Sequence, residues 1–237
     1  MSDYRDDLAW IHHAGFSEFA RSAAPDVIAL LPPNCSIVEV GCGSGVLARE
    51  LTDAGFAVLG IDASPAMIEL ARMHAPDARF EIARFADATL PPCNAIIAMG
   101  EVLNYGTLDE VKRFASNAAN ALADGGLLLF DVAERGSYPE HDERRVGGDD
   151  WSVIAIKGSD GQHLTRRVLT FRQIDGVTRR DEEVHTLELY DRKELTDILR
   201  EHGFRVRVRR SYGSLRLPPG HAVYIATRAG APASRAG

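Results

Sequence analysis

Three glycines at alternate positions, Gly41, Gly43 and Gly45, separate a short β-branched run, Ser36 to Val40, from an apolar spacing carried by Val46, Leu47 and Leu51. The order strand, glycine turn, helix follows. Glycine tolerates positive φ and removes the Cβ that would block a ligand's approach to the backbone. A second apolar run closes on Ile61, and Asp62 follows it about 20 residues after the first glycine, where a carboxylate can accept from both hydroxyls of an adenosine ribose. Such glycines alone also tighten corners that bind nothing. With the acid they point to a nucleotide-type ligand.

From Ser36 onward strands and helices alternate: Ser36 to Val40, a helix from Val46, Ala57 to Ile61, a helix from Pro65 to His74, then Arg79 to Ala83 and Asn94 to Met99. A helix from Leu108 to Leu122 and a strand from Leu127 to Val132 complete the series. Alternation of this kind implies right-handed crossovers and a parallel sheet covered by helices on both faces. Ligands on such sheets lie beyond the carboxyl ends of the strands, where Gly41 to Gly45, Asp62, Asp87 and Gly100 to Tyr105 all fall. Residues 1–33 precede the first strand, with Leu8, Ile11, His12, Phe16 and Phe19 on one helical face. Pro25 is expected to open a second helix that Pro32 and Pro33 close.

After Val132 the alternation stops. Residues 134–190 carry three extended runs separated by Asp160-Gly161 and Asp175-Gly176, pairs that favour two-residue hairpins, so a three-stranded antiparallel insertion is expected. A two-residue turn at Asp175-Gly176 places Arg166 opposite His185. The alternating pattern returns over 191–228. A helix begins at Asp191, with Glu194 expected to complete its cap, and Arg205, Arg207 and Arg209 alternate with valines as an edge strand would. Residues 229–237 are small and polar and are expected to be disordered.

The net charge of −7 gives no attraction to phosphate backbones or anionic lipid, which excludes nucleic acid as a first partner. No run approaches a membrane span and the acidic start does not suit a secretory signal, so a cytoplasmic protein is expected. Cys35, Cys42 and Cys93 lack the spacing of a metal or redox motif and suit buried fillers. No metal is expected.

The runs Glu39-Val40-Gly41-Cys42-Gly43-Ser44-Gly45, Gly60-Ile61-Asp62-Ala63-Ser64-Pro65 and Phe85-Ala86-Asp87, with a final antiparallel strand, resemble the class I S-adenosylmethionine-dependent methyltransferases. The resemblance covers residues 36–133 and 191–228 and points to small-molecule members that carry a β insertion after the fifth strand. It implies an α/β, Rossmann-like fold: a seven-stranded, mostly parallel sheet with an antiparallel last strand. The cofactor-binding unit would occupy 34–133 and 191–228, with the first 33 residues as a helical lid and the insertion above the active site. S-adenosylmethionine would be the cofactor and S-adenosylhomocysteine the product. By the same resemblance the turn of Gly41, Cys42, Gly43 and Gly45 passes under the methionine part and Glu39 holds its ammonium. Asp62 binds the ribose, Ala63 and Met67 line the adenine pocket, and Asp87 accepts from the adenine amino group. Ala88, Gly100, Glu101 and, from the lid, Tyr4 belong to the same pocket.

Transfer from a sulfonium is an in-line displacement onto a small-molecule nitrogen or oxygen, so the protein chiefly aligns the nucleophile, and a nearby base helps a protonated amine or hydroxyl. Three groups are candidates. Glu101 pairs with a substrate ammonium, acts as a base, or bonds to the lid; His12 is a base or a packing residue; and His185, beside Arg166, is a base kept neutral or a plain hairpin residue. Asn104, Tyr105 and Arg166 are candidate acceptor-binding residues. A nicotinamide-dependent oxidoreductase fits the glycines and the acid, but there the third glycine would follow after two residues, where Val46 stands. A non-catalytic S-adenosylmethionine-binding protein is the other alternative. The chain is expected to act on a small molecule as a monomer or homodimer.

Overall fold

The computed structural model describes residues 4–136, 138–139 and 141–230. The central sheet is built from β1 (Ser36–Val40), β2 (Ala57–Asp62), β3 (Arg79–Ile82), β4 (Cys93–Ala98), β5 (Leu122–Ala133), β10 (Phe204–Arg209) and β13 (His221–Arg228), in the order β10-β13-β5-β4-β1-β2-β3. Only β13 runs antiparallel to its neighbours. Successive side chains leave a strand on opposite faces, so Ile37 and Val38, Ile96 and Ile97, and Leu128 and Leu129 divide between two apolar layers. Both layers are roofed by helices, which is why the strands are apolar almost throughout.

The helices start where local chemistry dictates. In α4 (Pro65–His74), Ser64 accepts from Met67 N at 3.2 Å and Pro65 occupies the first turn, where its missing N–H costs nothing. Helix α5 (Leu108–Ala121) opens with a Thr107–Glu110 capping box. Asp191 caps α6 (Arg192–Glu201) through Lys193 N and Glu194 N, whereas the Glu194 carboxylate faces Arg135 at 4.0 Å and does not complete the expected box. Helix α3 (Val46–Asp53) follows the glycine turn directly.

The N-terminal helices break elsewhere than the sequence suggests. Helix α1 (Asp6–Phe16) and α2 (Glu18–Ala29) meet at Ser17, whose hydroxyl donates back to His13 O at 2.5 Å. Pro25 lies inside α2, not at its start. The proline removes one backbone hydrogen bond, but Ala23, Ala24 and Val27 are buried on the core face around it, and their packing carries the helix through.

The insertion has four strands, not three: β6 (Asp142–Gly147), β7 (Trp151–Ser159), β8 (His163–Ile174) and β9 (Val177–Glu188), paired antiparallel in that order. Strand β6, Asp-Glu-Arg-Arg-Val-Gly, is an exposed edge without apolar alternation, so the sequence offers no period to detect. Asp175 and Gly176 both take positive φ, 51° and 78°, and set the register that pairs Arg166 with His185. In the β7–β8 turn only Gly161 does so, at 88°, while Asp160 accepts from the N–H groups of Gln162 and His163.

Helix α1 lies flush on this sheet. Arg5 bonds Asp181, buried Asp7 receives Arg172 at 3.3 Å and Arg179 at 3.1 Å, and Arg172 stacks 3.9 Å over Trp10. A Cβ on Gly15 would fall 2.4 Å from the Trp151 ring. Phe204, Val206 and Val208 face inward on β10 while Arg205, Arg207 and Arg209 are exposed at the sheet edge. The tail 231–237 and residues 1–3 lie outside the described residues. Among the described residues, no helix is long and apolar enough to cross a membrane.

Candidate active site

A cavity of about 440 Å³ opens at the carboxyl ends of β1, β2, β4 and β5. The glycine turn forms one wall. Gly41, Gly43 and Gly45 take φ of 69°, 51° and 76°, and the N–H groups of Gly41 and Cys42 both donate to Ile61 O, fastening the turn to β2. A Cβ on Gly41 would sit 2.2 Å from Val102, so that glycine is fixed by packing. A Cβ on Gly43 would meet nothing nearer than Met67 Sδ at 3.9 Å, leaving bare peptide on the cavity side. Gly45 is not in the wall; a Cβ there would press on Ala71 of α4 at 3.1 Å.

Beside this turn lie two carboxylates of different character. Asp62 accepts from Gly43 N at 2.9 Å and Ser64 N at 2.8 Å, which fixes its plane at the end of β2. Glu39 is buried, and its Oε2 has no hydrogen-bond partner. Burial, and then the charge of Asp62, pushes its carboxyl up to about 8. An orphaned acidic oxygen in a cavity is costly unless a cation arrives to meet it. Ala63 and Met67 continue this wall, with Ala83, Arg84 and Phe85 after β3.

At the end of β4 the chain turns through two left-handed residues, Gly100 at 94° and Glu101 at 63°. Their N–H groups donate to the two oxygens of Asp131 on β5, at 2.8 and 3.1 Å, and Tyr212 adds a third bond at 2.7 Å. A non-glycine residue in this region costs about 1 kcal/mol or more, and the buried Asp131 holds it there. Burial raises the Asp131 carboxyl to about 6 against the bonds from Tyr212 and Gly100. Glu101 is thereby aimed into the cavity, where Arg166 of β8 donates to Oε2 and His221 Nε2 lies 2.5 Å from Oε1. Burial alone would raise the Glu101 carboxyl, but Arg166 and His221 bring it down to about 2. Glu101 is therefore a fixed anion, and the expectation that it serves as a proton-accepting base does not suit it.

The roof comes from the N-terminal segment, with Tyr4, His12, Phe16, Ser17, Phe19 and Ala20 lining the cavity. Tyr4 O accepts from the Ser64 hydroxyl at 2.5 Å, which ties the roof to the cap of α4. His12 stacks on Phe16 and packs edge-on against Tyr4. Burial, with His13 nearby, lowers it to about 4, so it is neutral at pH 7.

Not every expected residue reaches the cavity. Asp87 is exposed and pairs with Arg84 at 3.4 Å, and Ala88 is packed into the core below it; it is Arg84 that faces the cavity. The local turn, with Asp87 N and Ala88 N both on Arg84 O, aims the acid outward. Asn104 is fully buried and spends its amide on Ala133 and Glu188, donating to both carbonyls and accepting from Ala133 N, so it is a brace and not an acceptor contact. His185 lies behind Tyr4 and Tyr105 and outside the wall; its Nε2 is 3.4 Å from Glu183 Oε2 but not aligned for a hydrogen bond. Asp131 and His221, by contrast, line the cavity without having been anticipated. The signal for His221 was present: an antiparallel last strand begins at the edge where the parallel strands end. Among the described residues, no cluster of three or more His, Cys, Asp or Glu could hold a metal ion.

Comparison with known proteins agrees with this geometry. Residues 12–208 match the methyltransferase domain family. The chain is 27% identical over 219 residues to the dTDP-4-amino-2,3,4,6-tetradeoxy-D-glucose N,N-dimethyltransferase of Saccharopolyspora spinosa, covering 86% of each chain. It is 31% identical over 166 residues to the trans-aconitate 2-methyltransferase of Methylobacterium nodulans, covering 68% of this chain and 62% of the relative. The matched share of a relative's own length varies, from 86% for that dimethyltransferase to 40% for a ubiquinone biosynthesis O-methyltransferase of Chelativorans sp.. An amino pentose methyltransferase from Micromonospora echinaspora, solved with S-adenosylmethionine bound, superposes with a TM-score of 0.69 at 21% identity over 90% of this chain and 91% of that one. The fold is that of the class I methyltransferases. The chain belongs to the methyltransferase domain family and is an S-adenosylmethionine-dependent enzyme with relatives that methylate small molecules. Neither the oxidoreductase alternative nor the non-catalytic one finds support among them.

The residues present fit this cofactor. The orphaned Glu39 Oε2 suits its ammonium, and bare Gly43 leaves room beside it.

Proposed function

We propose that the protein methylates an amine nitrogen of a compact small molecule of amino-sugar type, with Glu101 holding that nitrogen. The observation that carries this reading is the fixed Glu101 anion, aimed into a cavity wall that also presents the carboxylates of Asp62 and Asp131. Arg84 is already engaged by Glu110 at 2.9 Å. S-adenosylmethionine supplies a methyl group on a sulfonium, and as the methyl moves the positive charge moves to the acceptor nitrogen. A preoriented carboxylate stabilises that developing charge without reorganising. Alignment of the nucleophile supplies roughly 7 to 11 kcal/mol in favourable systems. In this reading Glu39 takes the cofactor ammonium, Asp62 the ribose, Ala63 and Met67 the adenine, and Tyr4, Tyr105 and neutral His12 close over the acceptor. Two relatives named for amino-sugar substrates support it. The protein would act in the cytoplasm, as a monomer or homodimer, on a free metabolite and not on nucleic acid.

A carboxylate acceptor is the second reading, favoured by Arg166 Nε, which is buried without a partner, and by the trans-aconitate relative. S-adenosylhomocysteine release measured across nucleotide-linked and free amino sugars, their hydroxyl counterparts and small tricarboxylates separates the two. Turnover with amines is expected. Turnover confined to carboxylates would reject the amine.

A further inference from the structure

His221 is delivered to the cavity by a loop built to hold it. Tyr138 donates its hydroxyl to the carbonyls of Glu134 and Gly220, both at 2.9 Å, and Arg210 donates to His221 O at 2.8 Å. The imidazole is buried, with Nε2 2.5 Å from Glu101 Oε1 and Nδ1 3.1 Å from the Pro219 carbonyl. A backbone carbonyl only accepts. Glu101, ionised by Arg166 on its other oxygen, also only accepts. Both ring nitrogens therefore face acceptors, which is satisfied only when both carry protons.

We propose that His221 is a positioning residue that works as an imidazolium, clamping Glu101 from the side opposite Arg166 and so fixing the anion that meets the acceptor. The charged and titratable groups facing it are Glu101 from the turn after β4, Arg166 from β8 and Tyr138 from the segment after β5, whose ring is 6.2 Å away. Burial alone would lower its pKa and Arg166 acts the same way, but the bonds to Glu101 and Pro219 outweigh both and raise it. As pH rises through that raised value the ring gives up the Nδ1 proton, which only the neutral Pro219 carbonyl holds, and keeps Nε2–H on the carboxylate. Glu101 then has a neutral donor where it had a cation, and the Pro219 carbonyl that seats the ring faces a lone pair. The acceptor's KM climbs while cofactor affinity does not change.

The link to the acceptor rests on the amine reading above; the protonation of His221 does not. Protein labelled with 15N-histidine and saturated with S-adenosylhomocysteine is titrated by NMR, His221 being assigned by its loss in His221→Asn. At pH 7 both His221 nitrogens should be protonated, with a midpoint above the ordinary value of about 6.5 that falls by about one unit or more in Glu101→Gln. A neutral ring at pH 7, or a midpoint indifferent to Glu101→Gln, overturns the proposal. In kinetics, His221→Ala should raise acceptor KM about tenfold. His221→Asn, which donates without titrating, should recover most of that loss and flatten the alkaline rise. Equal losses in both variants with an unchanged pH profile would mean a merely structural residue. Should no amine be turned over, the NMR result still stands or falls by itself.

Discussion

Glu39 should release a proton when the cofactor binds. Its carboxyl is raised from 4.5 to about 8 by burial and by Asp62, so at pH 7 about nine-tenths of apoprotein molecules carry it protonated. A cofactor ammonium against Oε2 reverses this, because a facing cation lowers a carboxyl pKa well below 7. The cofactor's own α-amino group, with an ordinary pKa near 7.7 to 8.0, takes up about 0.1 of a proton, leaving a net release of about 0.8 at pH 7. Calorimetric titration with S-adenosylhomocysteine in buffers of different ionisation enthalpy reads this number directly. Glu39→Gln should remove the release, leaving at most the cofactor's own uptake of about 0.1 of a proton, and weaken binding at least about tenfold. The same shift acts on folding. A raised pKa gives stability that is complete below the unfolded value near 4.5 and lost as pH rises through about 8, so the apoprotein should lose up to roughly 4 kcal/mol over that window and Glu39→Gln should not. A binding heat independent of buffer, or equal release in Glu39→Gln, would refute the ammonium assignment.

Asn104→Ala removes three hydrogen bonds and leaves Ala133 N, Ala133 O and Glu188 O without that partner, so it should cost about 3 kcal/mol in denaturant unfolding. An unchanged midpoint with a raised acceptor KM would instead make Asn104 a substrate contact. Asp62→Ala should weaken S-adenosylhomocysteine roughly 10- to 150-fold by calorimetry; an unchanged dissociation constant would remove the ribose assignment. Gly41→Ala places a methyl 2.2 Å from Val102 at a φ of 69° and should lower the thermal midpoint by several degrees, whereas Gly43→Ala, which has space but a φ of 51°, should cost only the roughly 1 kcal/mol of that backbone conformation and chiefly impair cofactor binding.

The parallel core was legible because its inner strands β1, β4 and β5 are buried on both faces and most crossovers carry a helical period. Gly41 to Gly45 and Asp62 were legible because cofactor and turn geometry restrict those positions to few residue types. Strand β6 was not, since a charged exposed edge has no buried face to impose alternation. Pro25 misled because local propensity marks a helix start there, while buried Ala23, Ala24 and Val27 decide the matter by packing. In the site, proximity to a strand end identified Glu101 but could not distinguish Asn104, which turns into the core, from Tyr105, which lines the cavity. Asp131 and His221 meet Glu101 across 30 and 120 residues of sequence, and only the sheet order brings them together.

The most direct test uses S-adenosylmethionine carrying a 13C methyl group, incubated with the protein and an amino-sugar acceptor, the product being examined by carbon NMR and mass spectrometry. One labelled methyl bonded to nitrogen for each S-adenosylhomocysteine formed is the predicted result. Label on oxygen, or no transfer from a cofactor that binds, would contradict the account.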